Sequence, residues 1–351
     1  MMTLCTLFNI NYLDKGLALY ESLEKVSNNF ILYVLAMDDK CYEILSDLKL
    51  PHLRPIKLVD FENEELLKVK LTRSIGEYCW TCSSNLIKYI IKNYQPEYCT
   101  YIDADLFFYS DPYQIIEEME KKNASVQVIG HRFNRREAKN LEYYVGKYCV
   151  QFNTFKNDNK GLSLLNIWCK QCLDYCKIDG DGIHWGDQKY QDNWCEDYDY
   201  CIETEHLGAG IAPWNIEQYK LIKSNESSII IKTRDQLYPI LFYHFENIQY
   251  LDKKTIKINL YRKWGIDDKL IYQLYYPYLK IVDKYKDYIL YKYGINILLK
   301  HHPGVEPVNS DKKSFARILK FWEIVRPKYI KHYFYNILPT LLYKNKDYIT
   351  I

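Results

Sequence analysis

The sequence predicts an α/β fold in which a mostly parallel sheet carries helices on both faces, followed by a helical appendage at the C-terminus. Three observations predict it. In the first hundred residues, short apolar and β-branched runs alternate with segments whose apolar residues recur at helical spacing, the pattern of β-α-β units. The apolar runs are continuous rather than alternating, as in strands covered on both faces. The last hundred residues instead carry long, aromatic-rich helical patterns.

Residues 3–8 read as a first strand, and 13–25 as a helix with Leu17, Leu19 and Leu23 among its apolar positions. Residues 30–35 form a continuous apolar strand that ends at Asp38-Asp39. A helix over 40–49, a strand over 55–59 and a helix over 83–92 follow, leading to a strand over 99–102. The middle of the chain holds strands at 125–129, 228–232 and 240–244 and a helix at 162–176. Helices are expected at 267–276, 278–293 and 314–325, with linker signals at Pro303-Gly304, Pro307 and Pro327. The chain therefore divides into residues 1–250, an α/β unit, and 251–351, a helical, aromatic-rich and basic region.

The 351 residues suffice for a full core. With 26% charged and 48% hydrophobic residues, the chain is globular rather than disordered. A formal net charge of only +2 excludes a whole-surface nucleic-acid binder. The charge is uneven, because residues 311–351 hold nine Lys/Arg against three Asp/Glu. Their basic residues interleave with Phe315, Trp322, Tyr329 and Phe334, as in an element that lies on an anionic membrane surface. Each Lys/Arg at such a surface contributes about 1 kcal/mol. No apolar stretch reaches the ~20 residues that span a bilayer, and the N-terminus runs straight into a strand. With 11 cysteines, an odd number, the expected location is the reducing cytoplasm, at the inner face of the membrane through the basic tail.

The chemistry centres on Tyr101-Ile102-Asp103-Ala104-Asp105-Leu106. A buried strand delivers two aspartates, and side chains at i and i+2 of an extended chain share a face. Asp103 and Asp105 can thus converge on one cation. Asp111, before Pro112, reads instead as a helix cap. Gly186-Asp187-Gln188, flanked by Trp185 and Trp194, reads as irregular backbone opening a helix over 189–192 that points into a cleft. His206-Leu207-Gly208-Ala209-Gly210 leads to Pro213-Trp214, a tight loop. His244 ends an apolar strand and can complete an Asp/Asp/His site, whose donors suit Mn²⁺ or Mg²⁺. Cys79-x-x-Cys82 and Cys169-x-x-Cys172 do not read as a zinc site, since the second pair lies with Cys176 on an amphipathic helix and no further ligand motif accompanies them. His301-His302 reads as a loop pair.

Taken together these blocks, over roughly residues 2–250, resemble a GT-A glycosyltransferase, and in particular the retaining family-8-like enzymes. The resemblance implies a nucleotide-sugar donor, a UDP-sugar foremost. Its nucleotide loop would be Asn9-Ile10-Asn11-Tyr12, with Tyr12 stacking on the base. Leu7, Asn9, Asn11, Tyr12, Asp103, Ala104 and Asp105 would contact the donor. Asp103, Asp105 and His244 would bind the metal. Asn153, in Phe152-Asn153-Thr154, would contact the transferred sugar, and Asp187 and Gln188 would stand beside the anomeric carbon. The implied acceptor is a glycan or lipid-linked glycan in surface polysaccharide assembly. Two departures stand out. The family's H-x-x-G-x-x-K-P-W run is split here between His206 with Pro213-Trp214 and His244, which makes His206 a rival ligand. The usual phosphate-binding lysine has no counterpart in that run.

Two other enzymes also place aspartates after a strand. A HAD-like phosphohydrolase wants a small hydroxyl residue two positions after the second aspartate, where this chain has Phe107. A sugar nucleotidyltransferase wants a Gly-rich basic loop after the first strand, where this chain has only Lys15 and Gly16. A non-catalytic membrane scaffold would need none of the Asp-Asp, Asp-Gln and His blocks.

Overall fold

The computed structural model describes residues 1–297, apart from 136–137, 179–180, 226–227, 251–254, 259 and 261–265, together with 348–350. The chain opens with β1 (Met2–Phe8), α1 (Leu13–Val26), β2 (Phe30–Ala36), α2 (Asp39–Leu48) and β3 (Leu53–Lys57). Two short helices, α3 (Leu58–Phe61) and α4 (Glu64–Lys70), precede α5 (Ile75–Tyr94), β4 (Tyr98–Ile102) and β5 (Leu106–Phe108). Then come α6 (Tyr113–Lys121), β6 (Val126–Gly130), α7 (Ala138–Val145), β7 (Tyr148–Lys156), α8 (Asn159–Asp174), α9 (Trp194–Asp197) and β8 (Cys201–Glu203). The rest comprises β9 (Lys220–Asn225), β10 (Ser228–Thr233), β11 (Gln236–Pro239), β12 (Phe242–His244), β13 (Gln249–Tyr250), β14 (Thr255–Lys257), α10 (Asp268–Tyr293) and β15 (Tyr348–Thr350).

The expected α/β architecture is present. A seven-stranded sheet runs in the order β3-β2-β1-β4-β7-β6-β8. Strands β1, β2, β3 and β4 are mutually parallel, and β6 is parallel to β8. β7 runs antiparallel to both its neighbours, β4 and β6. The continuous apolar strands are explained by cover on both faces. Along β1, Met2, Leu4 and Phe8 join a core with Leu17, Leu32 and Ile115, whereas Cys5 and Leu7 join another with Leu35, Ile87 and Trp168.

Several boundaries differ from expectation. The helix expected at 83–92 starts at Ile75, because Ser74 and Glu77 close a reciprocal capping box that nucleates its first turn. Leu58 and Val59 form the start of α3 rather than the end of a strand. Asp111 stands one residue before the Pro112 cap of α6, and its carboxylate accepts from the Tyr113 amide at 3.0 Å. The helices expected at 267–276 and 278–293 are one, α10, which passes through Pro277. A proline forfeits one backbone bond, but Leu274, Tyr275, Tyr278, Leu279 and Val282 around it are buried and hold the helix together. α10 lies along α1, where Lys284 pairs with Glu21, and reaches Asp47 through Lys292 at 2.9 Å. The expected helix at 314–325, the basic tail up to 347 and His301-His302 lie outside the described residues.

Beyond the sheet, β12 pairs antiparallel with β5 and so returns the chain to the end of β4. The approach depends on Gly208, whose carbonyl accepts from the Leu241 amide at 2.8 Å. A Cβ there would fall 1.9 Å from the Pro239 carbonyl oxygen. Gly208→Ala is expected to lower stability by about 1–3 kcal/mol, read from urea unfolding. An unchanged midpoint would mean that the two segments separate freely.

Candidate functional site

The aspartates stand at the carboxyl end of β4, where ligands bind in open α/β sheets. The ladder persists as far as the Asp103 amide, which donates to the Gln151 carbonyl at 3.1 Å. The chain then turns, with the Leu106 amide donating to the Asp103 carbonyl at 3.3 Å. The two carboxylates therefore converge across a tight turn, not along the extended strand that their spacing suggests. The Asp103 side chain remains 28% exposed, against 12% for Asp105 and 8% for His244, so access is from the Asp103 side.

Pairing of β12 with β5 sets His244 opposite Leu106. The Phe245 amide donates to the Asp105 carbonyl and the His244 amide to the Ile211 carbonyl, both at 2.9 Å. His244 Nε2 lies 3.0 Å from Asp105 Oδ1 and 3.7 Å from Asp103 Oδ2. Nδ1 lies 3.1 Å from Gln151 Oε1, an amide oxygen that accepts from it when Nδ1 carries a proton. The Trp214 ring meets His244 edge-on, and its indole donates to the His131 carbonyl at 2.9 Å.

The electrostatics follow from burial. Burial alone would lower the His244 imidazole, but the Asp105 carboxylate, with Asp103, raises it well above its ordinary value. Burial likewise opposes ionisation of Asp105, yet His244 holds it below the usual carboxylate range. Asp103 is pushed up to about 6 by burial, with the Asp105 charge adding and His244 opposing. Lys15, wholly buried under the Tyr12 ring at 4.2 Å, has no hydrogen-bond partner for its ammonium, and its charge favours ionised Asp105.

The other expected residues are distributed as follows. Asn153 sits opposite Tyr101 in the β4–β7 register, is buried, and has both amide atoms without a partner. Such an amide costs about 1–3 kcal/mol unless a ligand satisfies it. Asp187, after Gly186 at φ +56°, is buried; Ser83 donates to its carboxylate and the Trp168 indole to its carbonyl at 2.8 Å. Burial, reinforced by the Asp103 charge against the Ser83 hydrogen bond, pushes Asp187 up to about 7. Gln188 is turned away, its amide donating to the Val145 carbonyl at 2.6 Å. The helix expected at 189–192 is a single 3₁₀ turn, Lys189–Gln191.

At the end of β1, Asn9 Oδ1 accepts from the Asn11 amide at 3.0 Å, and Asp38 holds the Ile10 amide at 2.7 Å. Asn11 is exposed and Tyr12 half-buried, whereas Leu7 and Ala104 are buried beneath. His206 does not join the carboxylates. Its Nδ1 accepts from the Gly208 amide at 3.2 Å, and its ring meets Tyr238. The Cys79/Cys82 and Cys169/Cys172 pairs lie on the packed helices α5 and α8, and all eleven cysteines are free thiols. A groove of about 680 Å³ between Lys122, Arg132, Glu203 and Arg234 includes none of the expected site residues, so chemistry rather than volume marks the site.

Sequence reasoning missed Gln151, Cys149 and the placement of Lys15. Ligand atoms of Asp103, Cys149 and His244 lie within 4.8 Å of one another. A signal was present, since Cys149, Gln151 and Asn153 alternate with the apolar Tyr148, Val150 and Phe152. The Asp103 carboxylate, the Cys149 sulfur and the His244 imidazole are close enough to share one ion, with Asp105 paired to His244 beside them, and such donors, the imidazole oriented by an outer amide, fit a divalent cation.

Two outcomes are expected. Gln151→Leu should weaken Mn²⁺ binding about 10–100-fold, measured by Mn²⁺ electron paramagnetic resonance. An unchanged affinity would remove Gln151 as the orienting group. The raised Asp187 makes the native state hold its proton more tightly than the unfolded chain does. Stability is therefore lost as pH rises from the ordinary carboxylate value to about 7. In chelator, Asp187→Asn should gain on the parent as pH rises from about 4 to about 7, by at most about 4 kcal/mol. A pH-independent difference in urea unfolding would contradict this.

No family model matches the chain. It is 29% identical over 289 residues to the uncharacterized protein YfnD of Bacillus subtilis (strain 168), covering 81% of this chain and 89% of that protein. The uncharacterized protein YfnF of the same organism is 30% identical over 276 residues, covering 77% of this chain and 89% of YfnF. Among solved structures, an active-site mutant of LgtC matches with a TM-score of 0.48 and 9% identity, over 81% of this chain and 96% of that one. Mouse xyloside xylosyltransferase 1 matches at 0.45 and 11%, over 70% and 98%. At this identity over three quarters of its length, the chain belongs to the family of Bacillus subtilis YfnF.

Proposed function

We propose that the protein is a GT-A glycosyltransferase. It moves a hexosyl group from a nucleotide-diphosphate donor, a UDP-sugar foremost, to a glycan or lipid-linked acceptor in surface polysaccharide assembly. The observation that carries this reading is the convergence of Asp103, Asp105 and His244 at the end of β4. The unsatisfied Asn153 amide on the adjoining strand supports it.

Asp103, Asp105 and His244 would hold Mn²⁺ or Mg²⁺. A cation held there would offset the charge developing on the departing diphosphate. The chain's own residues supply the rest. Gln151 keeps His244 Nδ1–H engaged and Nε2 turned to the carboxylates. Asn153 offers one donor and one acceptor to the sugar hydroxyls. Asp187, poised near neutrality, can donate to the sugar when protonated and support positive charge at the anomeric carbon when ionised. Gln188 would join it on releasing Val145. Tyr12 would stack on the base, with Leu7, Asn9, Asn11 and Ala104 lining the nucleotide. The proposed outcome is retention, with the acceptor entering on the leaving-group side and its proton passing to the diphosphate.

The phosphohydrolase alternative fits less well, because Phe107 is buried against Tyr109 and Tyr278 where that chemistry wants a hydroxyl. Among the described residues no helix is long and apolar enough to cross a membrane. The proposed route to the membrane face is the basic segment 311–351.

A thermal-shift panel of UDP-, GDP-, dTDP- and CMP-sugars with and without Mn²⁺ tests the reading. A donor at a hundred times its Kd should add about 2.7 kcal/mol of stability, and only with the cation. Asp103→Asn should cut sugar transfer by about 100-fold or more. No shift with any nucleotide sugar would sink the assignment.

A further inference from the structure

Cys149 is the one thiol that stands with the carboxylates. It is buried on β7, and its sulfur, an Asp103 oxygen and a His244 nitrogen all lie within 4.8 Å of one another. Ligand atoms around a tetrahedral ion with bonds of about 2.0–2.3 Å sit roughly 3.3–3.8 Å apart. Side-chain adjustments of about 1 Å would therefore bring this sulfur into a coordination shell. Hard, oxygen-preferring cations have little use for it, whereas Zn²⁺ and Co²⁺ bind thiolate readily.

We propose that Cys149 is an ion-selective ligand of this site, idle beside Mn²⁺ or Mg²⁺ and engaged when Zn²⁺ or Co²⁺ enters. Engagement breaks the S–H bond and releases its proton to solvent, leaving thiolate sulfur on the ion. Asp103, Cys149 and His244 then make three protein ligands, with Asp105 paired to His244 beside them. A thiophilic ion would thus be held more tightly than Mn²⁺ or Mg²⁺ and would keep them out of the site. This inference rests on the metal site of the proposed function, and it adds that Zn²⁺ is an inhibitor of that site.

The experiment uses the full chain. Mn²⁺ binding is first followed by electron paramagnetic resonance, and Co²⁺ is then added and the near-ultraviolet spectrum recorded. The expected result is displacement of Mn²⁺ with a sulfur-to-cobalt charge-transfer band. Cys149→Ser should still bind Mn²⁺, lose the band, and lose affinity for Zn²⁺ on the order of 100-fold while Mn²⁺ affinity changes little. Mn²⁺ binding without a Co²⁺ thiolate band in the parent protein would overturn the role of Cys149 and leave the metal site standing. A band that persists in Cys149→Ser would assign the sulfur elsewhere and overturn it equally. Failure of the parent to bind Mn²⁺ would sink the metal site itself. The parent spectrum decides the matter even if the variant folds poorly.

Discussion

Two carboxylates that face one buried histidine repel each other unless one takes up a proton or positive charge stands beside them. Here the carboxylates favour positive charge on His244, 3.0 Å from Asp105 and 3.7 Å from Asp103. Much of the remaining architecture serves to put it there. β12 must return to β5, the loop over 206–215 must pass close under Pro239 and Ile129, and Trp214 must brace the ring. Gly208 and Gly210 are the positions where side chains would collide, the latter also at φ +69°.

The same requirement makes the site receptive to cations. A divalent ion held by these residues would take over the charge compensation that a protonated His244 would otherwise supply. Ligands must shed protons before they can bind metal, so ion entry exchanges one positive charge for another and leaves the buried carboxylates compensated throughout. Lys15, buried beneath Tyr12, favours ionised Asp105, although burial lowers its own ammonium below the ordinary lysine range.

β7 is the strand that turns a charge cluster into a differentiated site. Wedged antiparallel between β4 and β6, it carries Cys149, Gln151 and Asn153 along the edge of the carboxylates. One hydrogen-bonds His244, one has an unsatisfied amide, and one is a sulfur ligand in waiting. On the opposite side, the Gly186 turn brings Asp187 close enough for the Asp103 charge to be felt. The charges of Asp103, Asp105, Asp187 and His244 are therefore one coupled set rather than four independent titrations.

The sequence by itself determined the elements and the identity of the chemically active groups. Continuous apolar runs specify strands buried on both faces, helical periodicity specifies the layers over them, and the Asp103/Asp105 pair, Asp187 and His244 stand out as polar groups at the ends of apolar segments. Local signals also misled where packing outweighed them. Pro277 reads as a break, yet α10 continues through it because both flanks are buried. Only the tertiary structure decided who meets whom. Insertion of β7 between β4 and β6, and return of β12 to β5, are pairings between residues far apart in the chain, which no local period encodes. Those two pairings separated His244 from His206, two histidines that read alike in sequence. They also brought Gln151 and Cys149, ordinary positions in an apolar run, into the charged centre. The physical reason is that burial and charge compensation are properties of the assembled sheet, and they act only once distant strands lie side by side.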